Sequence, residues 1–119
     1  MILLLDTSAR DITQIDAYTD HWESFSLERA HSGAILAAME QVRSRAGQQL
    51  TGLAAVVGHG SFTATRVAVT IANTLAYAWG IPVVAVTNAD HEQALALLQQ
   101  ARPGVLIAAE YSAPPRVGT

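Results

Sequence analysis

The stretch that most constrains the fold runs from Val56 to Arg66, Val-Val-Gly-His-Gly-Ser-Phe-Thr-Ala-Thr-Arg. A buried strand, a glycine turn and a helix start follow one another there. Gly58 and Gly60 permit positive φ or a close backbone approach. Ser61 can cap a helix by accepting a hydrogen bond from a backbone N–H one turn on. The spacing predicts a helix from Phe62 to Trp79 that is apolar or small on nearly every side. A helix apolar on two sides is buried on two sides, which points to binding another protein rather than to chemistry.

The rest of the chain arranges itself around this unit. Met1 to Leu5 is a continuous apolar run closed by Asp6-Thr7-Ser8, the pattern of a central strand. Ile12 to Tyr18 and Trp22 to Leu27, joined by Thr19-Asp20-His21, read as a hairpin. His31 to Ala46 has helical spacing and Gly47 sits where a C-terminal glycine stop is expected. Leu53 to Val57 and Ile81 to Val86 are further buried strands, with Gly80 ending the helix between them. Asn88 or Asp90 can cap a third helix, Asp90 with Gln93 forming a capping box; Pro103-Gly104 ends it, and Val105 to Ala109 reads as a last strand. A hairpin followed by strand–helix alternation implies a mixed, five- to six-stranded sheet with a parallel half and helices on its faces, an α/β domain.

Composition narrows the function. Of 119 residues half are hydrophobic and 14% charged, so the chain holds a real core and can spare surface for a partner. A net charge of −3 gives no general attraction to nucleic acid or to an anionic membrane. Cysteine is absent, removing disulfides and thiolate metal sites; this suits a cytoplasmic location. No apolar run approaches the roughly 20 residues needed to span a bilayer.

Each candidate for chemistry has a plainer reading. The glycine turn lacks the lysine of a phosphate-binding loop, and Thr63 occupies the third glycine position of a dinucleotide fingerprint. Ser61 directly follows Gly60, so it is not a nucleophile elbow. His21, His31, His59 and His91 stand at no metal-ligand spacing. Asp6 could hold a metal–nucleotide complex or simply mark the polar end of a strand. In the Phe62–Trp79 helix, Val67, Ile71, Leu75 and Ala78 are expected on the sheet, leaving Thr65, Val69, Ala72 and Ala76 as a second face. The His31–Ala46 helix covers that face, or both helices meet another protein there.

The chain resembles the TsaB (YeaZ) family, the non-catalytic subunit of the bacterial machinery that makes threonylcarbamoyladenosine (t6A) in tRNA. The matching pieces are Asp6-Thr7-Ser8, His31-Ser32, the run Gly58-His59-Gly60-Ser61-Phe62-Thr63-Ala64-Thr65-Arg66, and Gly80-Ile81-Pro82. His59 replaces the family's proline, Ala64 and Ala68 replace glycines, Thr65 replaces leucine, and Gly33 stands where glutamate is usual. Val105 to Tyr111 resembles the first strand of a second domain, so residues 1–111 are expected to form the domain and 112–119 a flexible tail.

The resemblance implies an actin-like/RNase H-like fold and no catalytic residues, metal or cofactor. It implies a helical interface, here His31, Ile35, Leu36, Met39, Thr65, Val69, Ala72 and Ala76, with the catalytic paralogue TsaD or a second copy. A TsaE-like ATPase would dock on that complex, and tRNA would be engaged only through it. The motif turn comprises Gly58, Gly60, Ser61, Phe62, Thr63 and Arg66. Two alternatives stand beside this. One is a small actin-like nucleotide-binding phosphotransferase or hydrolase fragment using Asp6; the other is an orphan homodimer with no tRNA role.

Overall fold

The structure, a computed structural model, describes residues 1–47, 49–58 and 61–108. Five strands and three helices alternate in the order β1 (Ile2–Asp6), β2 (Ile12–Tyr18), β3 (Trp22–Glu28), α1 (Ser32–Ala46), β4 (Gly52–Val56), α2 (Phe62–Trp79), β5 (Val83–Val86), α3 (His91–Gln100). They build one sheet in the order β3-β2-β1-β4-β5. The hairpin half is antiparallel, and β1, β4 and β5 are parallel. The two most continuously apolar segments, β1 and β4, lie at its centre, because a central strand is covered on both faces and both neighbours.

Alternation sorts the side chains onto two faces. Leu3, Leu5, Leu53 and Ala55 face α1 and α2 together with Ile15 and Ala17, and they meet Ile35, Met39, Ala68, Ile71 and Ala72 in the main core. Leu4, Ala54, Val56 and Val86 face the other way, where Ala94 of α3 covers them in a smaller cluster.

The helix ends follow the sequence signals. Ser61 accepts from Ala64 N–H at 3.0 Å, and Asp90 accepts from Gln93 N–H at 3.1 Å. Gly47 and Gly80 both take φ +64° and close α1 and α2. The reciprocal half of the Asp90–Gln93 box does not form; Gln93 Oε1 is buried without a partner. His31 precedes α1 as its cap, its Nδ1 accepting from Ala34 N–H at 3.1 Å. A Cβ on Gly33 would meet the His31 ring at 3.2 Å, so the glycine leaves room for an imidazole cap.

Among the described residues the sheet has no sixth strand. Val105–Ala108 is not a strand. It runs against α2, where Ile107 N–H donates to Asn73 Oδ1 at 3.0 Å and Asn73 Nδ2 donates to Ile107 O at 2.9 Å. One side-chain amide thus meets the backbone needs of Ile107 that a neighbouring strand would have met. Ala109 and the expected tail lie outside the described residues.

Candidate functional site: the outer face of α1 and α2 and the turn at its head

The parallel half of the sheet fixes the site. β1 and β4 end side by side, and each chain direction reverses there, so Asp6-Thr7-Ser8 comes to lie at the head of α2. Thr7 Oγ1 donates to Ala64 O at 2.9 Å, tying the end of β1 to the first turn of that helix. Asp6 turns back on its own chain: Oδ1 accepts from Ser8 N–H at 2.9 Å and from Ser8 Oγ at 2.5 Å. This Asx turn gives the carboxylate a structural task. Gly58 adopts φ +82°, and a Cβ there would meet nothing within 4 Å, so backbone conformation, not close approach, requires the glycine. His59, Gly60 and the Phe62 side chain fall outside what the structure describes.

The two helices run in the same direction on one sheet face. At one end Arg43 of α1 lies over the Trp79 ring of α2, 4.9 Å from its centroid. Glu40 hydrogen-bonds the same guanidinium and holds its pKa above the ordinary value. At the other end the helices leave a hollow of about 420 Å³. Leu36, Val67 and Ile71 give it an apolar floor, and Thr63, Arg66, Thr70 and Thr74 line its α2 side.

This placement corrects the expected interface. Ile35, Met39, Thr65, Val69, Ala72 and Ala76 are all buried within the chain itself, Met39 and Ala72 completely. A partner could reach them only by displacing the core. α2 is turned in part from the expected setting: Ile71 and Leu75 enter the core as expected, but Ala68, Ala72 and Ala76 fill the strip beside them, Val67 is half-buried, and Ala78 is exposed. The reason is steric. Alanines at a spacing of four let the helix backbone sit close over β4, whereas a face of larger residues would hold it away. Of the expected set only His31, exposed and engaged as a cap, and Leu36, in the hollow, reach the outer surface. The residues that do line that surface, Val67, Thr70 and Thr74, were not singled out for it. Their signal was a threonine ladder at the same spacing of four.

A second polar constellation lies on the α3 face. Asp16, 2% exposed, accepts from Ser24 Oγ at 2.7 Å and Gln14 Nε2 at 3.0 Å, and meets His91 Nε2 at 2.8 Å. Trp22 stacks on the His91 ring with centroids 4.0 Å apart. Burial alone would push the Asp16 carboxyl up, but the bonds from His91, Ser24 and Gln14 outweigh it and leave its pKa below the ordinary value. Ser24 and His91 both bond Asp16 and not each other. No histidine base is therefore placed against the serine, and the arrangement is not that of a nucleophile–base pair. Among the described residues no group of three or more histidine or acidic side chains could hold a metal ion, and no helix is long and apolar enough to cross a membrane.

Comparison with known proteins agrees with this architecture. Residues 26–110 match the family model described as "TsaD: tRNA N6-adenosine threonylcarbamoyltransferase". Among solved structures, YeaZ from Pseudomonas aeruginosa is similar at 27% identity and a TM-score of 0.63. A second structure, described as an uncharacterized protein with similarity to peptidase YEAZ from Pseudomonas aeruginosa, is similar at 27% identity and a TM-score of 0.64. Each alignment covers 73% of this chain and 43% of the other, so the chain spans less than half the length of the YeaZ structures it matches. No curated protein matches it. The mixed sheet with its three helices is the actin-like/RNase H-like α/β fold. The chain belongs to the TsaD family, as a TsaB-like (YeaZ-like) member.

Proposed function

We propose that this chain is a non-catalytic scaffold subunit in t6A modification of tRNA. It docks a TsaD-like catalytic paralogue on the outer face of α1 and α2, and threonylcarbamoyl transfer takes place on that partner. A TsaE-like ATPase binds the assembled pair, and tRNA is met only through the complex. The observation that carries this reading is the hollow between the helices. Its floor of Leu36, Val67 and Ile71 is apolar, its rim carries Ser32, Arg66 and three threonines, and its own chain leaves it open. Threonine and small apolar side chains on parallel helices allow a second helix pair to approach closely. The interface is therefore drawn on Leu36, Val67, Thr70 and Thr74 in place of the buried alanines. This reading gives Asp6 no catalytic part; one oxygen of its carboxylate serves the turn at Ser8.

The test is the mass in solution, by light scattering, of the chain mixed with the TsaD of the same organism. A one-to-one complex is expected, and Thr70→Arg should abolish it while leaving the circular dichroism spectrum unchanged. A complex that survives Thr70→Arg and Val67→Glu together would remove the interface from this face. Absence of any complex would end the scaffold reading.

A further inference from the structure

The outer surface of α2 carries a pattern of its own. On the buried side Ala68, Ala72 and Ala76 recur at a constant spacing of four. On the outer side the spacing alternates between four and three, through Thr63, Val67, Thr70, Thr74 and Tyr77. Val67 is half-buried and the other four are exposed. That alternation is a period of about 3.5 residues, the one that keeps a single stripe turned toward a neighbouring helix along its length. On a straight helix such a stripe drifts by only about 20° in each heptad. No residue of the stripe is charged.

The stripe is longer than the hollow between the helices. Thr63, Val67, Thr70 and Thr74 line that hollow, and Tyr77 stands one step beyond it. Tyr77 is 84% exposed, Val105 63% and Leu106 57%, the highest values among the large apolar side chains described. These three line a second hollow of about 300 Å³. An uncharged stripe therefore ends on a patch of apolar surface left in water, which is the mark of a contact surface. Thr74 Oγ1 donates to Thr70 O at 2.7 Å. Its proton is used within α2, so it can accept from a partner but not donate to one.

We propose, resting on the scaffold reading of this face, that the partner docks with one amphipathic α-helix laid lengthwise along α2 from Thr63 to Tyr77, and that Tyr77 is the anchor. The stripe presents a side chain about every 5 Å along the helix axis. A second helix with apolar and small residues at the same alternating spacing stays in step with it, crossing at about 20°. An extended peptide, which turns a side chain to one face about every 7 Å, falls out of step within a few contacts. A tyrosine ring that passes from water into a packed contact supplies a large share of such a binding energy. The partner's facing residues are uncharged, and at the tail of α2 they form an apolar seat for the Tyr77 ring.

The experiment is a calorimetric titration of the chain with the TsaD of the same organism, with sedimentation to fix the stoichiometry. Tyr77→Ala should weaken the complex by about tenfold or more, and Tyr77→Phe should keep it within about threefold of wild type. Thr74→Val, which removes a hydroxyl that serves α2 itself, should also stay within about threefold. Melts followed by circular dichroism should be the same for Tyr77→Ala and wild type, which separates a lost contact from a lost fold. A full-strength complex in Tyr77→Ala would confine docking to the hollow and overturn the lengthwise helix, while the scaffold reading stands. A loss in Thr74→Val as large as that in Tyr77→Ala would mean that the stripe is read through hydrogen bonds, and would overturn it equally. If the wild-type chain forms no complex by either method, the scaffold reading falls and the anchor falls with it.

Discussion

The two faces of this sheet are held by different physics. The face under α1 and α2 is dry: sixteen residues of buried core meet there, including Leu3, Leu5, Leu53 and Met39, and two helices of fifteen and eighteen residues cover it. The opposite face has a ten-residue helix, a cluster of five buried residues, and the hydrogen-bonded set around Asp16. One row of the sheet shows the division. Ser24, Asp16, Leu4, Ala54 and Val84 stand side by side across the five strands, polar at the hairpin end and apolar toward β5. A short helix cannot span the whole face, so its N-terminus is fixed by His91 on Asp16 and its C-terminal half by Leu98 near β4. Apolar burial is non-directional and tolerates no gap, whereas the hydrogen-bonded set is directional and tolerates solvent nearby.

The largest effects should come from the dry face. Met39→Ala empties a completely buried site and should cost about 2–5 kcal/mol in a denaturant melt. Ala68→Val, which overfills the strip where α2 lies closest, should cost about 1–3 kcal/mol. Leu98→Ala on the thin face should fall at or below the lower end of the Met39 range, because Leu98 keeps 9% of its surface in water and its neighbours can close in. Equal losses at Met39 and Leu98 would dissolve the distinction between the faces.

The next effect in size belongs to Asp16. Asp16→Ala removes a buried carboxylate together with its bonds to His91, Ser24 and Gln14 and should cost about 1–3 kcal/mol. It should also release Trp22 from its stack on His91, seen as a change in tryptophan emission. The pH dependence has a definite sign. The Asp16 pKa is depressed in the folded chain, so its contribution is whole above the ordinary carboxylate value of 3.8 and is lost as pH falls through the folded value. Urea melts taken from neutral pH into acid should show wild-type stability falling below that value. Asp16→Asn should flatten this limb; an unchanged acid limb would mean that other carboxylates set it.

Much of the fold was legible because it is written locally. The apolar run of β1, the passage from β4 through Gly58 into α2, and the caps at Ser61 and Asp90 are each decided within a few residues. The rotation of α2 was not legible. A helix apolar or small all round has no amphipathic stripe to set its facing, and alanine, which here marks the inner strip, reads as neutral. For that reason the face expected to be open turned out to be the buried one, with Ala72 and Ala76 inside and Thr70 and Thr74 outside. The Asp16 site was hidden by distance, since its partners Ser24 and His91 lie 8 and 75 residues away. A carboxylate between Ile15 and Ala17 in an alternating strand was the one local sign of a polar patch on the second face. Val105–Ala108 is not a strand for a further reason: β propensity there says that the segment can pair, not that a partner edge lies within reach.

The smallest expected effect is the sharpest probe of the comparison. Gly52 opens β4 beneath α3, and a Cβ there would meet Leu98 Cδ2 at 3.0 Å and Cδ1 at 3.1 Å. Its φ is not in the left-handed region, so alanine fits the backbone and would remove unfolded-state freedom worth about 0.4–1 kcal/mol in favour of folding. Against that gain stands the contact with Leu98. On a face as tightly filled as the one around Ala68 the contact would win. Here the atoms in the way are the far end of one side chain, on a thin helix with water at its margin, and a small rotation of Leu98 relieves them. Gly52→Ala should therefore be close to neutral, within about 1 kcal/mol of wild type in the same melts that show Ala68→Val to be costly. A loss at Gly52 as large as that at Ala68 would mean that α3 is as rigidly seated as α2, and that Asp16 and His91 add specificity to a face already fixed by packing.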